Sequence, residues 1–130
     1  MTVQPGATCH DIQNVLHPRH AVKAMQSTDI FSVGGSLSVN AHGMDHQVGS
    51  IAGTVRRLTV MLADGSVVSC SRTENADLFR HVVGGYGLFG VVLEAELDIT
   101  DNVVYETKRE IIRSQDFPTF FAERLENHPE

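Results

Sequence analysis

Leu58, Val60 and Leu62 alternate with Arg57, Thr59 and Met61, then Ala63-Asp64-Gly65-Ser66 interrupts the pattern and Val67-Val68-Ser69-Cys70 runs back. An Asp-Gly pair between alternating apolar stretches predicts a β-hairpin over residues 55–71. Residues 91–99 read as a further strand, alternating in their second half, and Asp101-Asn102 turns the chain into an expected partner strand over residues 103–113. Val3-Gln4-Pro5-Gly6 reads as a strand end entering a turn. Helical spacing is clearest after Thr8, where Ile12, Val15 and Leu16 make one stripe, Asp11 completes a capping box and Pro18 ends the helix near His17. A short helix through Leu78, Phe79 and Val82 starts from Thr73 or Asn75, and a last one runs from about Phe117 to Leu125. Mixed strands and helices with antiparallel hairpins predict an α+β fold, an antiparallel or mixed sheet flanked by helices.

Composition narrows the class. The 130 residues include 16 acidic and 10 basic side chains, a formal charge of −6, so the counterion-displacing stripe of a nucleic-acid binder is missing. Hydrophobic residues at 42% and charged residues at 20% are ordinary for a globular domain with its own core. No apolar run is long enough for a spanning helix, and residues 1–20 lack a signal-peptide pattern. Cys9 and Cys70 do not make a disulfide framework, so a reduced, cytoplasmic chain is expected.

Glycine is unevenly spread. Gly34, Gly35, Gly43, Gly49 and Gly53 form one group and Gly84, Gly85, Gly87 and Gly90 another. The second group matches G-x-G-x-x-G, but a dinucleotide site needs that string after a strand and before a helix. Here a helix precedes and a strand follows, so the match has lost its mechanical meaning. The first group, Ser32-Val33-Gly34-Gly35-Ser36-Leu37-Ser38-Val39-Asn40-Ala41-His42-Gly43, has two readings. Its glycines either make tight turns or aim backbone N–H groups at anionic oxygens, with small side chains admitting a flat ligand. Gly49-Ser50 opens a further helical turn whose N–H groups could meet a phosphate.

Among reactive side chains His42 carries the most chemical promise, either as a donor toward developing negative charge or as a tie to a nearby carbonyl. His42 and His46 have the spacing of a helical metal pair, but Gly43 weakens the helix and no third ligand is evident. Cys9 and His10 are adjacent on a helix and point apart, and Cys70 suits a half-buried hairpin position. Gly35-Ser36-Leu37-Ser38 lacks the second glycine of a nucleophile elbow. Aromatic packing is the expected role of Tyr86, and the acidic C-terminal residues read as a solvated helix face.

In order, the strings VGGSLSVNAHG, GS, LTVMLADGSVVSCS, NADLF and GGYGLFGVV resemble the FAD-binding (PCMH-type) domain of the vanillyl-alcohol oxidase / p-cresol methylhydroxylase superfamily. The resemblance covers about residues 3–100 and is nearest to the sugar-lactone oxidase and decaprenylphosphoryl-ribose oxidase types. It implies two α+β subdomains clasping FAD, of which residues 1–102 are similar to the second. The first subdomain, whose glycine-rich loop holds the pyrophosphate, has no counterpart in these residues, and residues 103–130 are expected to begin the connection toward a substrate domain. Position by position, the resemblance puts Ser32, Val33, Gly34, Gly35, Asn40, His42 and Gly43 beside FAD, with Met44 and Asp45 in a variable stretch. It puts Gly49 and Ser50 at a phosphate- or ribityl-facing turn and Val92 at the adenine or ribose side. It implies hydride transfer to FAD from an alcohol carbon of a sugar- or lactone-like substrate, and it assigns neither a catalytic residue nor a metal ligand to this segment. The competing expectation is a non-catalytic remnant or interaction module that does not hold FAD by itself and self-associates through an exposed cleft wall.

Overall fold

The strongest local pattern forms the centre of the molecule. In the computed structural model, which describes residues 1–126, β3 (Val55–Met61) and β4 (Val67–Ser71) pair antiparallel, Leu58 opposite Cys70 and Val60 opposite Val68. Ser66 closes the turn by donating its hydroxyl (2.6 Å) and amide (2.9 Å) to Asp64 Oδ1. Those two bonds hold the exposed Asp64 carboxyl below the usual carboxylate range. β5 (Val91–Leu97) pairs with the other edge of β3, and β1 (Thr2–Val3) adds two residues outside β5, giving the order β1-β5-β3-β4.

Register irregularities explain why β5 alternates only in its second half. Ala95 and Leu97 face the core, but the register with β3 shifts between Thr59 and Val60. Thr59 lies opposite Glu94 and Val60 opposite Val92, so one extra residue, Leu93, reverses the facing of what precedes it. Val92 packs toward the core, while Val91 and Leu93 are exposed.

One face of the sheet carries the helices. α1 (Cys9–Leu16) starts from the expected capping box: Thr8 Oγ1 accepts from the Asp11 amide at 3.1 Å, and Asp11 Oδ2 accepts from the Thr8 amide at 2.9 Å. Its buried stripe is Cys9, Ile12 and the half-buried Leu16; Val15, expected in that stripe, is 73% exposed. α3 (Ala76–Val82) buries Phe79 and Val82 and begins after Asn75. Asn75 does not cap it: the residue is left-handed (φ 46°), and its side chain donates to the Ser69 carbonyl at 2.7 Å. α2 (Val33–Ser38) was read as glycine loop, yet it is a helix. Ser32 caps it by accepting from the Gly35 amide at 3.2 Å, and Val33, Ser36 and Leu37 are buried. Burial of that i, i+3, i+4 face outweighs the low helix propensity of two glycines.

A small second sheet joins β2 (His20–Val22) to β6 (Ile99–Asp101) in antiparallel register, splitting the strand read over residues 91–99 at Asp98. Residues 103–113 correct another expectation. They form no strand, and Val104 and Ile111 are fully exposed. Strand pairing needs a free edge of adequate length, and β6 is three residues long and already bonded to β2. α4 (Phe117–Arg124) follows with Pro118 in its first turn. Of the acidic residues read as a solvated helix face, Glu123 and Glu126 are exposed, and Glu130 lies outside the described residues.

Candidate functional site

α2 is fixed at both ends by loops remote in sequence. At its start the Val33 amide donates to the Ala7 carbonyl (2.9 Å) and the Gly34 amide to the Pro5 carbonyl (2.8 Å). A Cβ on Gly34 would stand 2.9 Å from Pro5 Cβ, so glycine is required there by close approach. At its end the Gly84 amide donates to Leu37 O (2.8 Å) and the Tyr86 amide to Ser38 O (3.0 Å). The two glycine groups therefore meet at the C-terminus of α2. Gly85-Tyr86-Gly87-Leu88-Phe89-Gly90 links α3 to β5 and opens no helix, as its sequence context requires.

These bonds overturn the idea of an amide cradle at the double glycine. The amides of Val33, Gly34 and Gly35 are spent on Ala7, Pro5 and Ser32. The same holds after Gly49-Ser50, where the predicted helical turn is present as a 3-10 turn over Ile51–Thr54. Ile51 donates to Ala41 O (2.8 Å), Ala52 to Asn40 Oδ1 (3.2 Å) and Gly53 to Ser50 O (3.0 Å). At both starts the amides that follow the cap are committed, while the cap amides of Ser32 and Ser50 meet no acceptor among the described residues.

What stays open lies beside them. His42 and Ser50 form an isolated antiparallel bridge, flanked by Gly43 N–H to Gly49 O and Ile51 N–H to Ala41 O, both 2.8 Å. In such a pair the backbone groups of the two facing residues point outward. The His42 and Ser50 amides meet no acceptor among the described residues, so they are available to a ligand. Elsewhere along the glycine groups, Gly35 and Val39 are exposed on α2, and Tyr86, Leu88 and Phe89 are exposed between α3 and β5. Tyr86 was expected to pack; it is left-handed (φ 52°) and 72% exposed.

The remaining predicted residues are placed as follows. Asn40 is left-handed (φ 49°), and its carbonyl oxygen is taken by Ala52. His42 Nδ1 lies 3.1 Å from Gly43 O, the carbonyl tie foreseen as one of its two roles. With Nδ1 donating, Nε2 donates to a ligand only in the imidazolium form. Met44 and Asp45 face away into a groove of about 720 Å³ that also includes Lys23, Gln26 and Tyr105. Asp45 closes its own loop by accepting from the Gln47 amide at 2.7 Å. Val92 is apart from this group in β5; beyond Ala95 no strand covers its outer edge, because β1 pairs only with Ala95 and Glu96. Cys9 and Cys70 are both buried, and burial raises each thiol pKa; Cys70, expected half-buried, is wholly enclosed. His10, by contrast, is exposed and pairs with Asp29 at 2.7 Å.

An antiparallel sheet backed by short helices, with the two glycine groups joined at the end of α2, defines an α+β protein. Residues 1–71 match the FAD binding domain family, and the chain belongs to that family, within the vanillyl-alcohol oxidase / p-cresol methylhydroxylase superfamily. Its cofactor is FAD. The chain is 32% identical over 98 residues to D-arabinono-1,4-lactone oxidase of Yarrowia lipolytica, covering 75% of this chain and 19% of that protein. It is 31% identical over 133 aligned positions to L-gulonolactone oxidase of Mus musculus (98% and 28%). It is also 35% identical over 89 residues to cytokinin dehydrogenase 4 of Oryza sativa (65% and 17%). The chain thus spans less than a third of the length of each of these relatives.

Proposed function

We propose that this chain forms one backbone wall of the FAD site in a flavin-dependent oxidoreductase acting on an alcohol carbon of a sugar- or lactone-like substrate. The observation that carries the reading is the alignment of nearly the whole chain with a gulonolactone oxidase, with residues 1–71 falling in an FAD-binding family. Bound FAD supplies the redox chemistry, accepting a hydride from the hydroxyl-bearing carbon. The protein's share is positioning. Ser32, Val33, Gly34, Gly35, Asn40, His42, Gly43, Met44, Asp45, Gly49, Ser50 and Val92 are the residues assigned beside the cofactor. Of these, the amides of Ser32, His42 and Ser50 are among those that meet no acceptor in the described residues, and His42 is the side chain assigned to face developing negative charge. With the amides of Val33, Gly34 and Gly35 committed internally, the pyrophosphate is assigned to the first subdomain that the family resemblance implies. Residues 103–130 lead toward a substrate-binding part, and residues 127–130 lie outside the described structure. The two buried thiols without a disulfide favour a reducing, cytoplasmic setting.

A longer protein carrying this chain is expected to keep a yellow chromophore through gel filtration after mixing with FAD, and to oxidise an aldonolactone. A colourless product that ignores FAD overturns the assignment. A second reading, that the 130-residue chain alone does not hold FAD, is favoured by the internally committed amides and the one-sided wall. Titrating FAD into the purified chain while following flavin fluorescence tests it. We expect no saturation at about 10 μM, and quenching with a dissociation constant in the low micromolar range contradicts that reading.

A further inference from the structure

We infer that a groove beside the 3-10 turn binds a small organic anion, its phosphate or carboxylate group held by Arg72 and Arg80 and its apolar body resting on Ala76 and Val83. The groove encloses about 390 Å³, within the range of small-molecule sites. Its long wall is one face of α3 and the residue after it: Ala76, Phe79, Arg80 and Val83 recur at i, i+3, i+4 and i+7. Ala52 and Arg72 face them, and Asn40 closes one end.

Arg72 carries the argument. Its Nη2 donates to the Ala52 carbonyl at 2.6 Å, and its guanidinium carbon stands 5.7 Å from the Phe79 ring centroid. The head group is thus fixed by a carbonyl and an aromatic face while its charge stays uncancelled. Among the described residues no carboxylate forms an ion pair with it. Arg80 pairs with Asp77 three residues earlier, but both side chains are largely exposed, and such a pair yields readily to a better acceptor. Among the described residues no Asp or Glu lines the groove, although the chain has 16 acidic and 10 basic residues. A planar guanidinium with its remaining N–H groups open matches the two-oxygen edge of a phosphate or carboxylate. The half-apolar wall selects for an anion with a hydrocarbon or aromatic body. The inference does not depend on the flavin reading, and its test needs no flavin.

The test is titration of phenyl phosphate, benzoate and inorganic phosphate into the isotope-labelled 130-residue chain, followed by backbone amide shifts. Phenyl phosphate or benzoate is expected to saturate at a few millimolar or below, with shifts centred on Ala52, Ala76 and Arg80, and inorganic phosphate to bind about tenfold more weakly. The stronger of the two organic probes identifies the head group. Arg72→Ala is expected to weaken binding about tenfold or more, and Arg80→Gln severalfold. Arg56→Gln, which removes an arginine paired with Asp98 outside the groove, leaves binding unchanged. Arg72→Lys, which keeps the charge and loses the planar fork, falls between parent and alanine variant. Equal affinity of parent and both Arg72 variants overturns the inference. So do shifts spread evenly over unrelated arginines, and absence of saturation.

Discussion

Gly85 and Gly87 stand two residues apart in the same loop and are glycine for different reasons. A Cβ on Gly85 would lie 1.9 Å from the His81 carbonyl oxygen and 2.9 Å from a Phe89 ring carbon, so the backbone itself would have to move. Gly87 has open space around it but a φ of +76°, where a side chain costs about 1–2 kcal/mol. Gly85→Ala is therefore expected to lose more stability than Gly87→Ala, by about 1 kcal/mol or more in urea unfolding. Equal losses would mean that the turn after α3 tolerates displacement. Because Gly84 and Tyr86 donate to the last carbonyls of α2, displacing that turn also loosens the C-terminal end of α2.

The elements divide according to where their causes lie. The hairpin and α1 were legible because their signals are local: Asp64-Gly65 makes its own turn, and Thr8 and Asp11 make their own cap. Thr8→Ala is expected to cost about 1 kcal/mol, measured by urea unfolding at neutral pH. The hydroxyl and amide of Thr8 hold the exposed Asp11 carboxyl below its usual range. That contribution is complete above the unfolded carboxylate value of about 4 and fades as pH falls through the lower folded value. Asp11→Asn should accordingly flatten the acid limb of the stability profile, and an unchanged limb would remove the cap from the account. The α2 helix was not legible, because its stability comes from Pro5, Ala7 and Gly84, whose contacts no local pattern encodes. Reading Gly34-Gly35 as a cradle was reasonable chemistry in the wrong setting, since the same carbonyls that support α2 consume its amides. Residues 103–113 failed in the opposite sense: the strand pattern is local, but the partner edge is not. For the site, the two glycine groups were visible as composition. Which amides stay open at His42 and Ser50 follows only from the bridge between loops that are distant in sequence.

At the scale of the whole molecule, the sheet is finished on one side and bare on the other. The core under α1, α2 and α3 encloses Leu37, Leu58, Val60, Cys70 and Ala95. Around the second glycine group and the start of β5, Tyr86, Leu88, Phe89, Val91 and Leu93 are all exposed, Leu88 to 81%. Among the described residues no strand continues the sheet beyond β5 at residues 91–93, so open backbone runs beside exposed apolar side chains. This combination favours association with another surface. For the chain alone, a second copy is the surface always at hand. Its weight-average mass in sedimentation equilibrium is expected to rise with concentration over about 10–500 μM, a range set by modest apolar burial. Leu88→Ser removes the most exposed apolar side chain of the patch without touching the core, and should return the chain toward monomer. Arg56→Gln, at the opposite end of β3 from the bulge beside Leu93, should not. A parent chain monomeric throughout that range, or an association indifferent to Leu88→Ser, would show that this patch does not hold two copies together.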